Sequence, residues 1–263
     1  MKKCAVINDI SGFGKCSLTA SIPVMSAMGI EVHPVVTGVF SNQTGYENFE
    51  SVDLTDMLPK ITRRWQQMSP RFDGILTGFL LSAKQYEYVL KFIDTFKQED
   101  TLLLADPVMG DNGQIYRTYT PEMVEGVKNL CTKANIITPN LTEVRILSGE
   151  KDIMLAGEKL IDSGIKSVIV TGVVEGGSIA NFVFSDGDVK KYSTDFIESA
   201  AQGGSFSGTG DIFSSFVLGK ILAGTSVFEA VEQATTFIGK AIKASDIKNR
   251  NDGIDFEPFL KEI

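Results

Sequence analysis

Short apolar runs that end in Gly, Asp, Thr or Pro alternate along this chain with segments whose apolar residues recur at helical spacing. Ala5-Val6-Ile7 predicts a first strand that stops at Asn8-Asp9, followed by a helix from about Cys16 to Met28. Glu31 to Val36 reads as a second strand, then a polar loop to about Ser51 and a helix from Leu54 to Met68. Gly74-Ile75-Leu76-Thr77 predicts a strand, and Ser82 to Phe96 a helix with Tyr86, Val89, Leu90 and Ile93 on one face and Ser82 as N-cap. Thr101 to Ala105 is an apolar strand that stops at Asp106-Pro107.

The second half continues the alternation. Helices are expected at Pro121 to Leu130, Leu141 to Leu147 and Ile153 to Ser163, with strands at Asn135 to Thr138 and Ser167 to Thr171. Asp186-Gly187 suits a tight hairpin turn between two further strands. Two long helices, Thr209 to Leu222 and Val227 to Ala244, follow. Such alternation predicts an α/β fold in three αβα layers, a mostly parallel sheet covered by helices on both faces. With no Pro/Ser-rich linker or repeat, residues 1–263 read as one domain.

In sheets of this kind ligands bind beyond the carboxyl ends of the strands. Here those ends carry Asn8-Asp9, Thr77-Gly78, Asp106-Pro107, Thr138-Pro139-Asn140 and Thr171-Gly172. Polar residues and residues of special backbone geometry thus gather at one rim.

Composition narrows the partners. A net charge of −8 argues against a surface that coats nucleic acid, although glycines and helix ends bind phosphate without net positive charge. Three cysteines without metal-type clustering fit a reducing cytoplasm, and the apolar N-terminal run is too short for a signal peptide. No apolar stretch reaches the ~20 residues of a membrane span. The one histidine, His33, leaves no Ser-His-Asp triad and no histidine metal site, and reads as structural.

Gly203-Gly204-Ser205-Phe206-Ser207-Gly208-Thr209-Gly210-Asp211 runs directly into an apolar helix. The first N–H groups of a helix have no internal partner, and with the helix dipole they form an anion site suited to phosphate. Asp211, in the first turn, is placed to accept a proton from a hydroxyl held against that site. Asp106 and Asp111, five residues apart, offer hard oxygen ligands of the kind that suit Mg²⁺ bridged to phosphates. Asn140 reads as a helix cap, and Glu143 points toward the same rim, where it could hold a metal-bound water. The stretch Gly12-Phe13-Gly14-Lys15-Cys16 lacks both the Walker spacing and the third glycine of a dinucleotide fingerprint.

Five segments, in this order, resemble the pyridoxal kinase branch of the ribokinase superfamily. They are Phe40 to Tyr46, Leu76 to Phe79, Asp106 to Gly113 followed by Tyr116, Ile137 to Asn140 with Glu143, and Gly208 to Asp211. The resemblance implies a ribokinase-like fold and ATP-dependent phosphorylation of the hydroxymethyl group of a B6 vitamer. By motif, Asp211 would be the base, and Gly208, Thr209 and Gly210 would stabilise charge on the transferring group. Asp106, Asp111 and Glu143 would organise Mg²⁺. Asp106, Thr138, Asn140 and Thr171 would bind ATP, with Tyr116 closing over its phosphates. Asp9, Thr44 and Gly45 would face the vitamer, and the family also implies a homodimer.

One departure points to a relative. Many pyridoxal kinases have a Ser-His pair where this chain has Asp9-Ile10, and Asp9-Ile10-Ser11-Gly12 is closer to the hydroxymethylpyrimidine kinases of thiamin biosynthesis. Those cousins typically carry Cys where Asp211 stands and lack Gly110-Asp111-Asn112-Gly113. Hydroxymethylpyrimidine, alone or beside a B6 vitamer, is therefore the alternative substrate.

Overall fold

The computed structural model describes residues 1–196, 206–246 and 249–263. Gly203, Gly204 and Ser205 of the glycine-rich stretch lie outside them. In chain order the elements are β1 (Lys3–Ser11), α1 (Ser17–Ala27), β2 (Glu31–Phe40), β3 (Ser51–Asp53), α2 (Leu58–Met68), β4 (Gly74–Thr77), α3 (Ala83–Phe96), β5 (Leu102–Ala105), β6 (Gly110–Asp111), β7 (Gln114–Ile115), α4 (Pro121–Lys133), β8 (Ile136–Ile137), α5 (Leu141–Ser148), α6 (Ile153–Asp162), β9 (Ser167–Glu175), β10 (Ser178–Ser185), β11 (Asp188–Asp195), α7 (Thr209–Leu222) and α8 (Val227–Ala244).

A nine-stranded sheet in the order β11-β10-β9-β8-β5-β4-β1-β2-β3 runs through the molecule, and β6 and β7 form a separate two-stranded ribbon. From β2 across to β9 neighbouring strands are parallel, whereas β3 at one edge and β10–β11 at the other pair antiparallel. The expected mostly parallel, helix-covered sheet is therefore present, with antiparallel edges. Along β1 the side chains alternate between two cores. Ala5 and Ile7 join a core with α2 to α6, while Cys4 and Val6 join one with α1, α7 and α8. That is the period-2 geometry of a strand buried on both faces.

Several boundaries differ from the sequence reading. Strand β2 continues to Phe40 because Gly38, Val39 and Phe40 find partners on β3. Strand β9 continues past Gly172 to Glu175 through a bulge in which Thr171 and Gly172 together oppose Asn181, whose Oδ1 accepts the Gly172 N–H at 3.1 Å. The Leu54–Met68 helix opens with a 3₁₀ turn at Thr55–Met57. Ser82 caps α3 as read, accepting the Gln85 N–H, and Asp186 and Gly187 take the left-handed turn expected between β10 and β11. His33 packs edge-on against Trp65 and Phe72, a structural setting. Among the described residues no helix is long and apolar enough to cross a membrane.

Candidate active site

The parallel strands end on one rim, where main-chain hydrogen bonds stitch their continuations side by side. Gly78 donates to Ile7, Asp106 to Thr77, Thr138 to Ala105 and Thr171 to Pro139, at 2.8 to 3.2 Å. Above this rim opens a cleft of about 1090 Å³. The residues given roles by motif all line it: Asp9, Thr44, Gly45, Asp106, Asp111, Tyr116, Thr138, Asn140, Glu143, Thr171, Gly208, Thr209, Gly210 and Asp211.

The phosphate-binding candidate is the start of α7. Gly208 is its N-cap with φ +76°, and a Cβ at that position would overlap the main-chain carbonyl of Lys15. Only glycine satisfies both conditions, so the loop is held against the β1–α1 connection and the N–H groups of the first turn face the cleft. Lys15 itself does not serve this site: its ammonium pairs with Asp255 at 2.5 Å and Glu257 at 2.9 Å.

Asp211 follows in the first turn. Its Oδ1 accepts the side-chain N–H of Asn8 at 2.8 Å, and the main-chain N–H of Ser17 also bonds the carboxylate. Asn8 is fixed in turn, because its Oδ1 accepts the N–H groups of Asp9 at 3.0 Å and Phe79 at 2.9 Å. Gly78 leaves room for that amide; a Cβ there would strike it. Burial raises the Asp211 carboxyl to about 6 and the nearby Asp9 adds to the rise, while the bonds from Ser17 and Asn8 oppose it. A carboxylate with that affinity is suited to taking a proton near neutral pH.

Asp9 is almost fully buried, and its carboxylate accepts Ser17 Oγ at 2.6 Å and Ser11 Oγ at 3.0 Å. Burial raises its pKa and these hydroxyls lower it. Asp9 therefore reaches the cleft wall as an anchored side chain beside the base. Ser17 takes φ +53°, a left-handed conformation uncommon for serine, and from it sends one bond to each of the two carboxylates. Thr44 and Gly45 are exposed at the cleft mouth.

On the opposite side stand Asp106, Asp111, Asn140 and Glu143. Asp106 accepts Ser214 Oγ at 2.9 Å, and burial with the charge of Asp211 raises it to about 7. Glu143 is buried with both oxygens engaged, Oε1 by the Met109 N–H at 3.1 Å and Oε2 by the Asn140 N–H at 2.9 Å. Asn140 Oδ1 answers by accepting the N–H groups of Thr142 and Glu143, which completes a capping box on α5. The Asn140 Nδ2 donates to the Gly110 carbonyl at 2.7 Å. These two side chains thus anchor the loop that carries Asp111 and Tyr116. Thr138 Oγ1 lies 3.4 Å from Ser214 Oγ, and Thr171 Oγ1 is 3.5 Å from the Pro139 carbonyl.

The donor chemistry fits a hard divalent cation. Burial lifts Glu143 well above its ordinary value and the charge of Asp106 lifts it further, so the carboxyls on this side repel one another in a way a cation would relieve. Among the described residues no three ligating side chains converge as a ready-made metal cluster. An ion here would need phosphate oxygens and water to complete its shell, the habit of Mg²⁺.

Residues 14–254 match the family model for phosphomethylpyrimidine kinase. The chain belongs to that family. A pyridoxal kinase of Dictyostelium discoideum is 30% identical over 224 residues, which cover 78% of this chain and 72% of that one. A Bacteroides thetaiotaomicron protein assigned to the phosphomethylpyrimidine kinases, crystallised with pyridoxal, superposes with a TM-score of 0.92 at 37% identity, covering 99% of this chain and 95% of that one. The pyridoxal kinase of Staphylococcus aureus, in complex with AMP-PCP and pyridoxal, shares the fold at 20% identity with a TM-score of 0.82, covering 98% and 94% of the two chains. The fold, and the kinship with pyridoxal kinases, are those the five motifs implied.

Sequence reading missed Asn8 as a partner of the base, together with Ser17, Ser214 and Arg250 as residues of the cleft wall. Asn8 carried a legible signal as the polar residue ending β1. The others meet the site through contacts distant in sequence.

Proposed function

We propose that this protein transfers the γ-phosphoryl group of ATP to the hydroxymethyl group of a B6 vitamer, pyridoxal or a close relative. The observation that carries the reading is the Asp211 carboxylate in the first turn of α7, beside the glycine-capped N–H groups and facing the open cleft. A pure binding site for phosphate has no use for a carboxylate at that place, since the two repel; a base has.

In the proposed reaction the substrate hydroxyl lies between Asp211 and the α7 N-terminus. Asp211 accepts its proton, the oxygen forms a bond to the γ-phosphorus, and the bond from that phosphorus to the β,γ-bridging oxygen breaks, releasing ADP. The amide groups at Gly208 to Gly210 face the charge on the moving group. Positioning and charge stabilisation dominate such transfers. Asp106 and Asp111 would hold Mg²⁺, which when bound neutralises phosphate charge, and Glu143 would act on it through the loop it anchors. ATP would lie along Thr138, Asn140 and Thr171 under Tyr116, and the vitamer ring between Asp9 and the Thr44–Gly45 edge.

The matched family and Asp9, bonded by Ser11 and Ser17, favour hydroxymethylpyrimidine as a second substrate. The test offers pyridoxal, pyridoxamine, pyridoxine and hydroxymethylpyrimidine separately with Mg·ATP and measures ADP and the phosphate ester. A B6 phosphate is expected as the main product. Turnover of hydroxymethylpyrimidine alone would reassign the substrate, and no ester from any of the four would defeat the kinase reading.

A further inference from the structure

The charged side chains of the cleft wall are unbalanced. Among the described residues they comprise the carboxylates Asp9, Asp106, Asp111, Glu143, Asp195 and Asp211, of which Asp195 is paired with Lys243 at 2.8 Å, against the cations Arg117 and Arg250. Arg117 is exposed, on the segment that follows β7, whereas Arg250 is half-buried. The Arg250 Nε is shielded from solvent and has no hydrogen-bond partner. Among the described residues no ion pair engages its guanidinium either, although Lys15 nearby is paired twice. A shielded guanidinium donor without a partner is costly unless an anion completes it.

The main chain fixes where that anion belongs. The Arg250 carbonyl accepts the Ser207 N–H at 3.0 Å, one residue before the Gly208 cap of α7. Asn251 Nδ2 donates to the Gly45 carbonyl at 2.8 Å, Asp252 accepts the Lys15 N–H through its carbonyl at 3.3 Å, and the Tyr46 hydroxyl bonds the Asp252 carboxylate. Residues 250–252 thus tie the phosphate loop to the Thr44–Gly45 edge, and Arg250 stands at the junction of the two.

We propose that Arg250 is a phosphate-binding residue that grips the phosphoryl group in transfer, from the γ-position of ATP to the product ester. The assignment rests on the kinase reading above. Beside the exposed Arg117 it is the half-buried cation among the described side chains of the cleft wall, in the planar, multi-donor form that suits phosphate oxygens.

The test compares wild type, Arg250→Ala and Arg250→Lys for binding of ADP and of a non-hydrolysable ATP analogue with Mg²⁺, by calorimetry, alongside steady-state kinetics with pyridoxal. The Ser207 bond goes to the Arg250 carbonyl and survives both substitutions, so a merely structural role would move every ligand together. Arg250→Ala is expected to weaken the ATP analogue about tenfold or more, the size of a lost charged hydrogen bond, while ADP and pyridoxal shift less than about twofold. Arg250→Lys should fall between. Parallel losses for ADP and the analogue, or no loss for either, would overturn the assignment. Should Arg250→Ala not fold, Arg250→Gln reads the same ratio. Wild-type turnover judges the kinase reading separately from that ratio.

Discussion

Asn8 donates from its side-chain amide to Asp211 Oδ1 at 2.8 Å across a sequence separation of 203 residues. The end of the first strand thereby holds a carboxylate delivered by the start of the seventh helix, and Asp211→Asn tests what that carboxylate does. Turnover is expected to fall by about 10²–10⁴, the usual contribution of a general base, with ATP binding largely kept. Substantial residual kcat would remove Asp211 from its assigned role.

The pH profile follows from the same carboxyl. Asp211 acts as a base only when ionised, and burial places its pKa at about 6. The kcat/KM for the vitamer should therefore decline as pH falls through about 6. Asn8→Ala removes a bond to the charged form and should move that limb upward while lowering kcat/KM about tenfold. An acid limb unmoved by Asn8→Ala would assign it to another group.

Stability carries the opposite sign. With an ordinary value of 3.8 in the unfolded chain and about 6 when folded, Asp211 binds more protons in the folded state. Its stabilising contribution is complete below about pH 4 and is lost as pH rises through 6. Asp211→Asn should then be more stable than wild type at pH 8, by about 1–2 kcal/mol, and the gap should close toward pH 4. Denaturant melts across that range measure it.

Gly208→Ala should destabilise the fold by several times as much as Gly224→Ala. Both sites have positive φ, which costs alanine about 1–2 kcal/mol, but a Cβ at Gly224 meets open space whereas one at Gly208 meets the Lys15 carbonyl. Thermal melts give the comparison. Equal losses would show that the loop yields without strain.

Glu143→Gln replaces one acceptor oxygen with a donor facing a main-chain N–H. The expected cost is about 1–3 kcal/mol of local order, seen as a raised KM for Mg·ATP and a higher Mg²⁺ requirement, with the pyridoxal KM nearly unchanged. A raised pyridoxal KM with normal Mg·ATP kinetics would place Glu143 at the wrong end of the cleft.

Much of this architecture was legible because local patterns and global fold agree. The bounds of α7 and α8 coincide with the helices read from the sequence, and the polar strand ends do converge on one rim. Elements that depend on a distant partner were not legible. The exposed β3 has no alternation of its own and exists by pairing with β2, and β9 outlasts Gly172 because β10 absorbs the extra residue in a bulge. The spacing of Asn140 and Glu143 showed a helix start, but not that Met109, 34 residues away, takes the other oxygen of Glu143. Arg250 belongs to no motif, and only the folding of its segment against Ser207 brings it to the cleft.

Because the stretch around residues 250–252 braces loops encoded near positions 15, 45 and 207, a growing polypeptide on the ribosome cannot assemble a finished pocket from its earlier parts. Competence to bind nucleotide should therefore wait until these residues have emerged, rather than build up strand by strand.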